Sequence, residues 1–358
     1  TKNKDSWNVE VPPARKQDLK REIDLIEEIA RLIGFDKFEA HLPDPIAPGI
    51  LTSKQKAERY LRDYLCGTGL QEVNCLSLVG KDDGDKKMVS ISNPLLAETS
   101  HLRTNLWEEH LNICIRNLKA GKRGCWIYEI GNIFEKQENN IDQVPMIGGI
   151  ICGENRQELW SNSGKSKPIN YYEARGRLTQ VFIRLKLNIT DRQIKADKIN
   201  LHPGKSAELF VEGKSIGTFG EMHPAMTSKK GLPKETYIFE LRLNPILEAA
   251  TRRNRWNVTF KQFNTMPFLE RDISIVVTKD CSSMDVIKLI QKAGKPLLEN
   301  VELIDRYEGD NLNGDRCSQA FRLWYRAEGK TLTDKDVMPI HEKIRSSLQK
   351  ELSAELRS

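Results

Sequence analysis

The sequence predicts an α+β protein with antiparallel sheets that ends in a domain of ferredoxin-like order. Three observations carry this. Helical and strand periodicities are interleaved without the regular alternation that a doubly wound parallel sheet requires. The stretch Glu208 to Gly220 reads as a hairpin turning at Gly213. From residue 263 onward the pattern is strand, helix, strand, strand, helix, strand.

The first clear element is a helix over about Glu22 to Ile33. Leu25, Ile26, Ile29, Ala30 and Ile33 recur at helical spacing, and Gly34 supplies a residue that tolerates the left-handed backbone at its end. The run His41 to Gly49 holds three prolines and marks a boundary. Thr52 to Gln55 then reads as a capping box, followed by the stripe Ala57, Tyr60, Leu61, Tyr64 and Leu65. Gly67 and Gly69 stop that helix, and Glu72 to Val79 reads as a strand. A helix near Leu106–Leu118, strands at Cys125–Phe134 and Met146–Cys152, and a helix at Tyr171–Leu185 follow. Basic residues from Thr251 to Trp256, continuing to Met266-Pro267, read as a linker.

In the last segment Asp272–Val277 is a strand. Ser282 caps a helix to Gly294 with Val286, Leu289, Ile290 and Ala293 facing inward. Asn300–Tyr307 and Gln319–Arg326 are strands joined by a Gly- and Asn-rich turn. Thr333 caps a helix to Leu352, and Ala354 to Arg357 adds a final short strand. Pro339 lies inside that last helix and is expected to kink it.

The chain has 358 residues, 39% hydrophobic and 30% charged, which suits two or three domains and excludes wholesale disorder. There is no apolar run of eighteen residues, so no membrane span is expected. Thr1 to Glu10 do not form a signal peptide. Seven scattered cysteines without a Cys-x-x-Cys pair argue against a disulfide framework or zinc site and for a reducing cytoplasm. The net charge of +6 is uneven: −2 over residues 1–48, +9 over 49–262 and −1 over 263–358.

Three constellations offer chemistry. Asp24, Glu27 and Glu28 fall at i, i+3 and i+4, and Asp18 precedes their helix. Carboxylates without His or Cys suit a hard cation, or they are simply a solvated face favoured near a helix N-terminus. In strand Ala320–Arg326 a period of two sets Phe321, Leu323 and Tyr325 against Arg322, Trp324 and Arg326. Ile304 and Arg306 of the neighbouring strand are expected on the latter face. A tryptophan between arginines on an open sheet face is a base-stacking platform with phosphate partners, or a domain contact whose arginines balance nearby carboxylates. The middle segment lacks a Gly-x-Gly-x-x-Arg motif, and Gly148-Gly149 lacks the Lys-Ser/Thr of a phosphate loop. His202, His223, Glu208 and Glu221 read as turn and hairpin residues. Lys119 to Arg123 and Arg252, Arg253 and Arg255 read as a solvated turn and linker, although either supplies the charge for phosphate contacts.

Several segments together resemble the β subunit of bacterial phenylalanyl-tRNA synthetase, in its C-terminal portion and with a cyanobacterial or chloroplast-like character. They are Arg15 to Phe35, Asn93-Pro-Leu-Leu, Leu102-Arg-Thr-Asn-Leu, Tyr128 to Phe134, Leu201 to Glu208, and Pro267 to Arg357. The resemblance implies three parts: the end of a winged-helix-like domain at 1–45, a class II synthetase-like non-catalytic core at 46–255, and a ferredoxin-fold anticodon-binding domain at 263–358. It implies Mg2+ ligands at Asp18, Asp24, Glu27 and Glu28, close to the contact with the α subunit. It implies tRNA binding on the face of Arg306, Arg322, Trp324 and Arg326. It further implies an assembly of two α and two β subunits that charges tRNA with phenylalanine, with ATP bound by α. Lys16 stands where the family has an aromatic residue, and Asn132 where it usually has a basic one. The alternatives are a stand-alone tRNA-binding or regulatory paralogue without ligase activity, and an unrelated enzyme using the middle segment.

Overall fold

The computed structural model describes residues 4–42, 49–82, 85, 87–138, 140–154, 160, 163–165, 167–194, 200–253, 255–257, 259–260, 262–309, 312 and 314–357. It forms two compact units, Thr1–Trp256 and Asn257–Ser358. Among the described residues no helix is long and apolar enough to cross a membrane.

In the first unit α1 (Glu22–Ile33) is followed by α2 (Ser53–Gly67), β1 (Gln71–Glu72), β2 (Leu78–Val79), β3 (Val89–Ser90) and β4 (His101–Leu102). Then come α3 (Trp107–Lys119), β5 (Gly124–Lys136), β6 (Ile141–Gly153), α4 (Tyr171–Arg184), β7 (Ile189–Gln193), β8 (Leu201–Val211) and β9 (Lys214–Met222). The unit ends with α5 (Pro224–Lys230), β10 (Thr236–Arg242) and α6 (Leu243–Ala250). Seven strands form one sheet in the order β1-β5-β6-β10-β9-β8-β7, antiparallel except where β1 joins β5. β2, β4 and β3 make a small separate sheet.

The expected capping box at Thr52 is present: the Gln55 amide donates to Thr52 Oγ1 and the Thr52 amide to Gln55 Oε1 at 2.9 Å. Ala57, Leu61 and Leu65 of α2 are buried with Trp126, Tyr128, Phe219 and Phe239 of the large sheet. Gly149 permits that packing. A Cβ there would lie 2.4 Å from the Phe239 ring and 2.7 Å from the Ile127 carbonyl, so the Gly148-Gly149 pair serves strand packing.

The expected strand Glu72–Val79 is not a strand. Only its two ends pair, β1 with β5 and β2 with β4, and the chain between them crosses from one sheet to the other. Its residues still alternate between half-buried and exposed, which is the side-chain signal the sequence carries, but no ladder forms. Arg103 anchors the crossing: its amide donates to the Ser77 carbonyl at 3.0 Å, and its carbonyl accepts from the Phe134 amide at 3.0 Å.

α1 spans the residues expected, and Gly34 follows at φ 100°. Its apolar stripe, however, is uncovered. Ile26, Ile29 and Ile33 are exposed, and no residue of α1 is buried among the described residues.

The second unit contains β11 (Leu269–Thr278), α7 (Ser283–Ala293), β12 (Leu298–Tyr307), β13 (Arg316–Tyr325), α8 (Asp334–Leu352) and β14 (Glu355–Arg357). This is the expected βαββαβ order, with sheet order β12-β13-β11-β14 and every pairing antiparallel. Phe321, Leu323 and Tyr325 are fully buried against Val286 and Ile290 of α7 and Val337, Ile344 and Leu348 of α8. Each such side chain contributes about 1.5–3 kcal/mol of hydrophobic stabilisation. Ser282 and Thr333 cap their helices as expected. Pro339 lies inside α8, which is helical on both sides of it. Pro339 is exposed, so the carbonyl that loses its amide partner faces water.

Two expected outcomes follow for the first unit. Arg103 is 4% exposed and donates to Glu129, 1% exposed, at 2.8 Å. Arg103→Met leaves that carboxylate buried without its ion partner and lowers unfolding free energy by about 3–5 kcal/mol in urea titration. Glu240 accepts the Leu106 amide at 2.6 Å, and burial pushes its carboxyl up from 4.5 to about 7. A carboxyl raised on folding holds its proton more tightly folded than unfolded. Its contribution is therefore complete below about 4.5 and lost as pH rises through about 7. Glu240→Gln keeps the acceptor, and its thermal midpoint falls less between those pH values than the parent's.

Candidate nucleic-acid interface

The four-stranded sheet has a helix-covered face and an open face, and ladder register decides which residues reach the open one. Trp324 pairs with Glu270 and Asn300, and Arg322 with Asp272 and Glu302. Directly paired residues share a face, so Arg322 and Trp324 stand among four polar neighbours, as the period of two predicts. Arg306 does not join them. A register shift between Leu303 and Asp305 inserts Ile304 as an extra residue in β12, and Arg306 pairs with Gln319. Gln319 is fully buried on the helix side with Phe321. One bulged residue reverses the parity that the sequence suggested, and Arg306 instead bridges to Glu308 at 2.8 Å.

The open face is electrostatically self-matched. Arg322 makes a bidentate contact with Asp272 at 2.8 and 2.9 Å. Trp324 Nε1 donates to Glu270 Oε1 at 2.8 Å. Arg326 grips both oxygens of Glu299, donates to the Asn264 carbonyl at 3.1 Å, and lies 3.9 Å from the Phe268 ring centre. These hydrogen bonds hold the Asp272 and Glu299 carboxyls below the usual carboxylate range and raise both guanidinium groups. Sequence reasoning singled out the cations. It missed Asp272, Glu299 and Glu270, whose signal was the alternating carboxylates of the flanking strands.

The other basic segments are less available than their composition suggests. Arg252 and Arg255 both clamp Glu212, and Arg255 also donates to the Lys186 carbonyl at 2.9 Å. His202 and His223 accept backbone amides from Gly204 and Ala225, as turn and cap residues do, and Glu221 pairs with Lys205 at 2.9 Å.

At the acidic helix, Arg15 bridges Asp18 at 2.8 Å and Glu28 at 2.7 Å, and Arg31 also donates to Glu28 at 2.6 Å. Arg15 first, then Arg31, hold the Glu28 carboxyl down to about 2. Asp24 Oδ2 accepts the Lys20 and Arg21 amides at 2.9 and 2.8 Å and so closes the helix N-terminus. Arg15 thus holds two of the four acidic residues and the backbone a third.

Residues 39–243 match the model of the phenylalanyl tRNA synthetase beta chain CLM domain. The chain belongs to the phenylalanyl-tRNA synthetase β chain family. Residues 264–357 match the ferredoxin-fold anticodon binding domain, and residues 1–35 the tRNA synthetase B5 domain. The chain is 58% identical over 354 residues to the phenylalanine–tRNA ligase β subunit of Prochlorococcus marinus strain MIT 9313, covering 99% of this chain and 43% of that one. It is 56% identical to the corresponding subunit of Synechococcus sp. strain CC9902, covering 99% and 44%. The chain thus spans less than half the length of these relatives. A pyrrolysyl tRNA synthetase from Desulfitobacterium hafniense aligns over 54% of this chain and 64% of its own at a TM-score of 0.39 and 11% identity, too low to argue from.

The family resemblance implies Mg2+ on the acidic helix. The donor chemistry, four carboxylates, suits a hard cation. In this structure Arg15 pairs with Asp18 and Glu28 and Asp24 accepts two backbone amides, so an ion there would have to exchange with Arg15 for two of the four carboxylates.

The exposed pairing on the sheet contributes little to the fold, since solvent screens it. Asp272→Asn is expected to leave the thermal midpoint within about 2 °C of the parent, as differential scanning calorimetry will show.

Proposed function

We propose that this chain is the C-terminal part of a phenylalanine–tRNA ligase β subunit, binding tRNA through the open sheet face of its last domain and assembling with an α subunit. One observation carries the reading. A domain matching the ferredoxin-fold anticodon binding family presents Trp324 and Arg322 side by side on the face its helices leave free. Stacking on an aromatic ring and pairing of guanidinium with phosphate are the two contacts single-stranded RNA needs. In this reading 1–45 is the end of a winged-helix-like domain, 46–255 a class II synthetase-like core without catalytic residues, and 263–358 the anticodon-binding domain. Charging of tRNA with phenylalanine, with magnesium as cofactor and ATP bound by α, belongs to a cytoplasmic assembly of two α and two β subunits. The exposed apolar stripe of α1 and the outward side of α2, where Tyr60 is 44% exposed, support assembly over a solitary life. The paralogue reading is the one disfavoured.

The self-matched face gives the binding a particular character. RNA phosphates must displace Asp272 from Arg322, so affinity depends on exchange of one anion for another. Attraction by surplus charge contributes little, since residues 263–358 carry −1 overall.

The test uses the chain assembled with its α subunit and a tRNA for phenylalanine, at fixed salt. Trp324→Ala is expected to weaken binding by about 1–3 kcal/mol, the value of one stacked base. Asp272→Asn, by freeing Arg322, is expected to strengthen it roughly two- to fivefold. Unchanged affinity in both variants, with the fold intact, removes this face from the interface.

A further inference from the structure

We propose that Cys75, His110 and Glu129 form a binding site for a divalent transition-metal ion of the zinc class in the interior of the first unit. This is independent of the tRNA-binding reading. Among the described residues these three are the one group whose His, Cys and carboxylate ligand atoms all lie within 4.8 Å of one another. They come from three separate places: Cys75 from the crossing between β1 and β2, His110 from α3, and Glu129 from β5. His110 and Glu129 are buried, and Cys75 is half-buried.

The chemistry of the donors selects the ion. One thiol, one imidazole and one carboxylate form a borderline set that suits zinc and not magnesium or calcium. His110 Nε2 stands 3.3 Å from Glu129 Oε2. That is long for a charge-assisted hydrogen bond, which prefers about 2.7–2.9 Å. It equals the edge of a tetrahedron built on metal–ligand bonds of about 2.0–2.1 Å, roughly 3.3–3.4 Å. Arg103 holds the other oxygen, Oε1, at 2.8 Å and so orients Oε2 toward the shared point, as outer partners of metal ligands do. Gly131 makes room for that pair, since a Cβ there would lie 2.5 Å from Arg103 Nη2 and 2.7 Å from Glu129 Oε1.

Three protein donors leave a fourth position, which the partial exposure of Cys75 opens to water. On binding, the thiol proton leaves to solvent. The ion and the thiolate together add one positive charge, and a hydroxide in the fourth position cancels it.

The experiment titrates the purified 358-residue chain with Co2+ and follows the thiolate-to-cobalt charge-transfer absorption, then displaces cobalt with Zn2+. One equivalent with that absorption is expected. Cys75→Ser and His110→Gln each abolish it, and Cys66→Ser, at an exposed cysteine outside the cluster, leaves it intact. Zn2+ is also expected to slow alkylation of Cys75 at least tenfold while alkylation of Cys66 is unchanged, a readout that needs no variant to fold. Cobalt bound without thiolate absorption, absorption that survives in Cys75→Ser, or unchanged alkylation of Cys75 overturns the site.

Discussion

A single buried charge organises the first unit. Glu129 sits in the interior of β5, where an unpaired carboxylate is prohibitive, so it must be met by a cation and held there. Arg103 meets it, and in doing so fixes the chain around itself. Its side chain also donates to the Asn132 carbonyl at 2.9 Å, while its backbone ties the crossing at Ser77 and the strand at Phe134. The small sheet and the crossing from β1 to β2 are thereby tied to β5 by one residue, its backbone and its guanidinium together. The same demand accounts for Gly131 beside it and for the company of His110.

Charge pairing works differently at the surface of the second unit. There Arg322 has a carboxylate partner, Asp272, that water can replace at little cost. Buried pairing makes a framework that resists change, whereas exposed pairing makes a face that can exchange partners. The RNA-binding face proposed for this domain of slightly negative net charge needs the second kind.

Much of this architecture was legible in the sequence, and the exceptions have physical causes. The capping box at Thr52, the cap at Thr333 and the βαββαβ order depend on residues close in sequence, and those expectations match the structure. The inward set Phe321, Leu323 and Tyr325 follows from a period of two alone. What failed depends on partners distant in sequence. Glu72–Val79 alternates like a strand, but pairing requires a neighbour that only the fold supplies. Arg306 was misplaced because a bulge at Ile304 is a property of two strands and not of one. The α1 stripe predicts burial, yet no described residue covers it.

The candidate sites show the same division more sharply. Arg322 and Trp324 were found because a residue type in a local pattern has a direct chemical meaning. The carboxylates that neutralise them were not, because register decides which Asp or Glu stands opposite. On the acidic helix, four carboxylates at suitable spacing suggested a cation, and the fold supplies one from within the chain, Arg15. Spacing on one helix reports which side chains are neighbours. It does not report what else reaches the same place. Cys75, His110 and Glu129 make the converse case. Separated by 35 and 19 residues, with no motif among them, they converge only because a crossing, a helix and a strand meet around the Arg103–Glu129 pair. A site of that kind is written in the tertiary constraint, and the buried charge that imposes the constraint is itself one of its ligands.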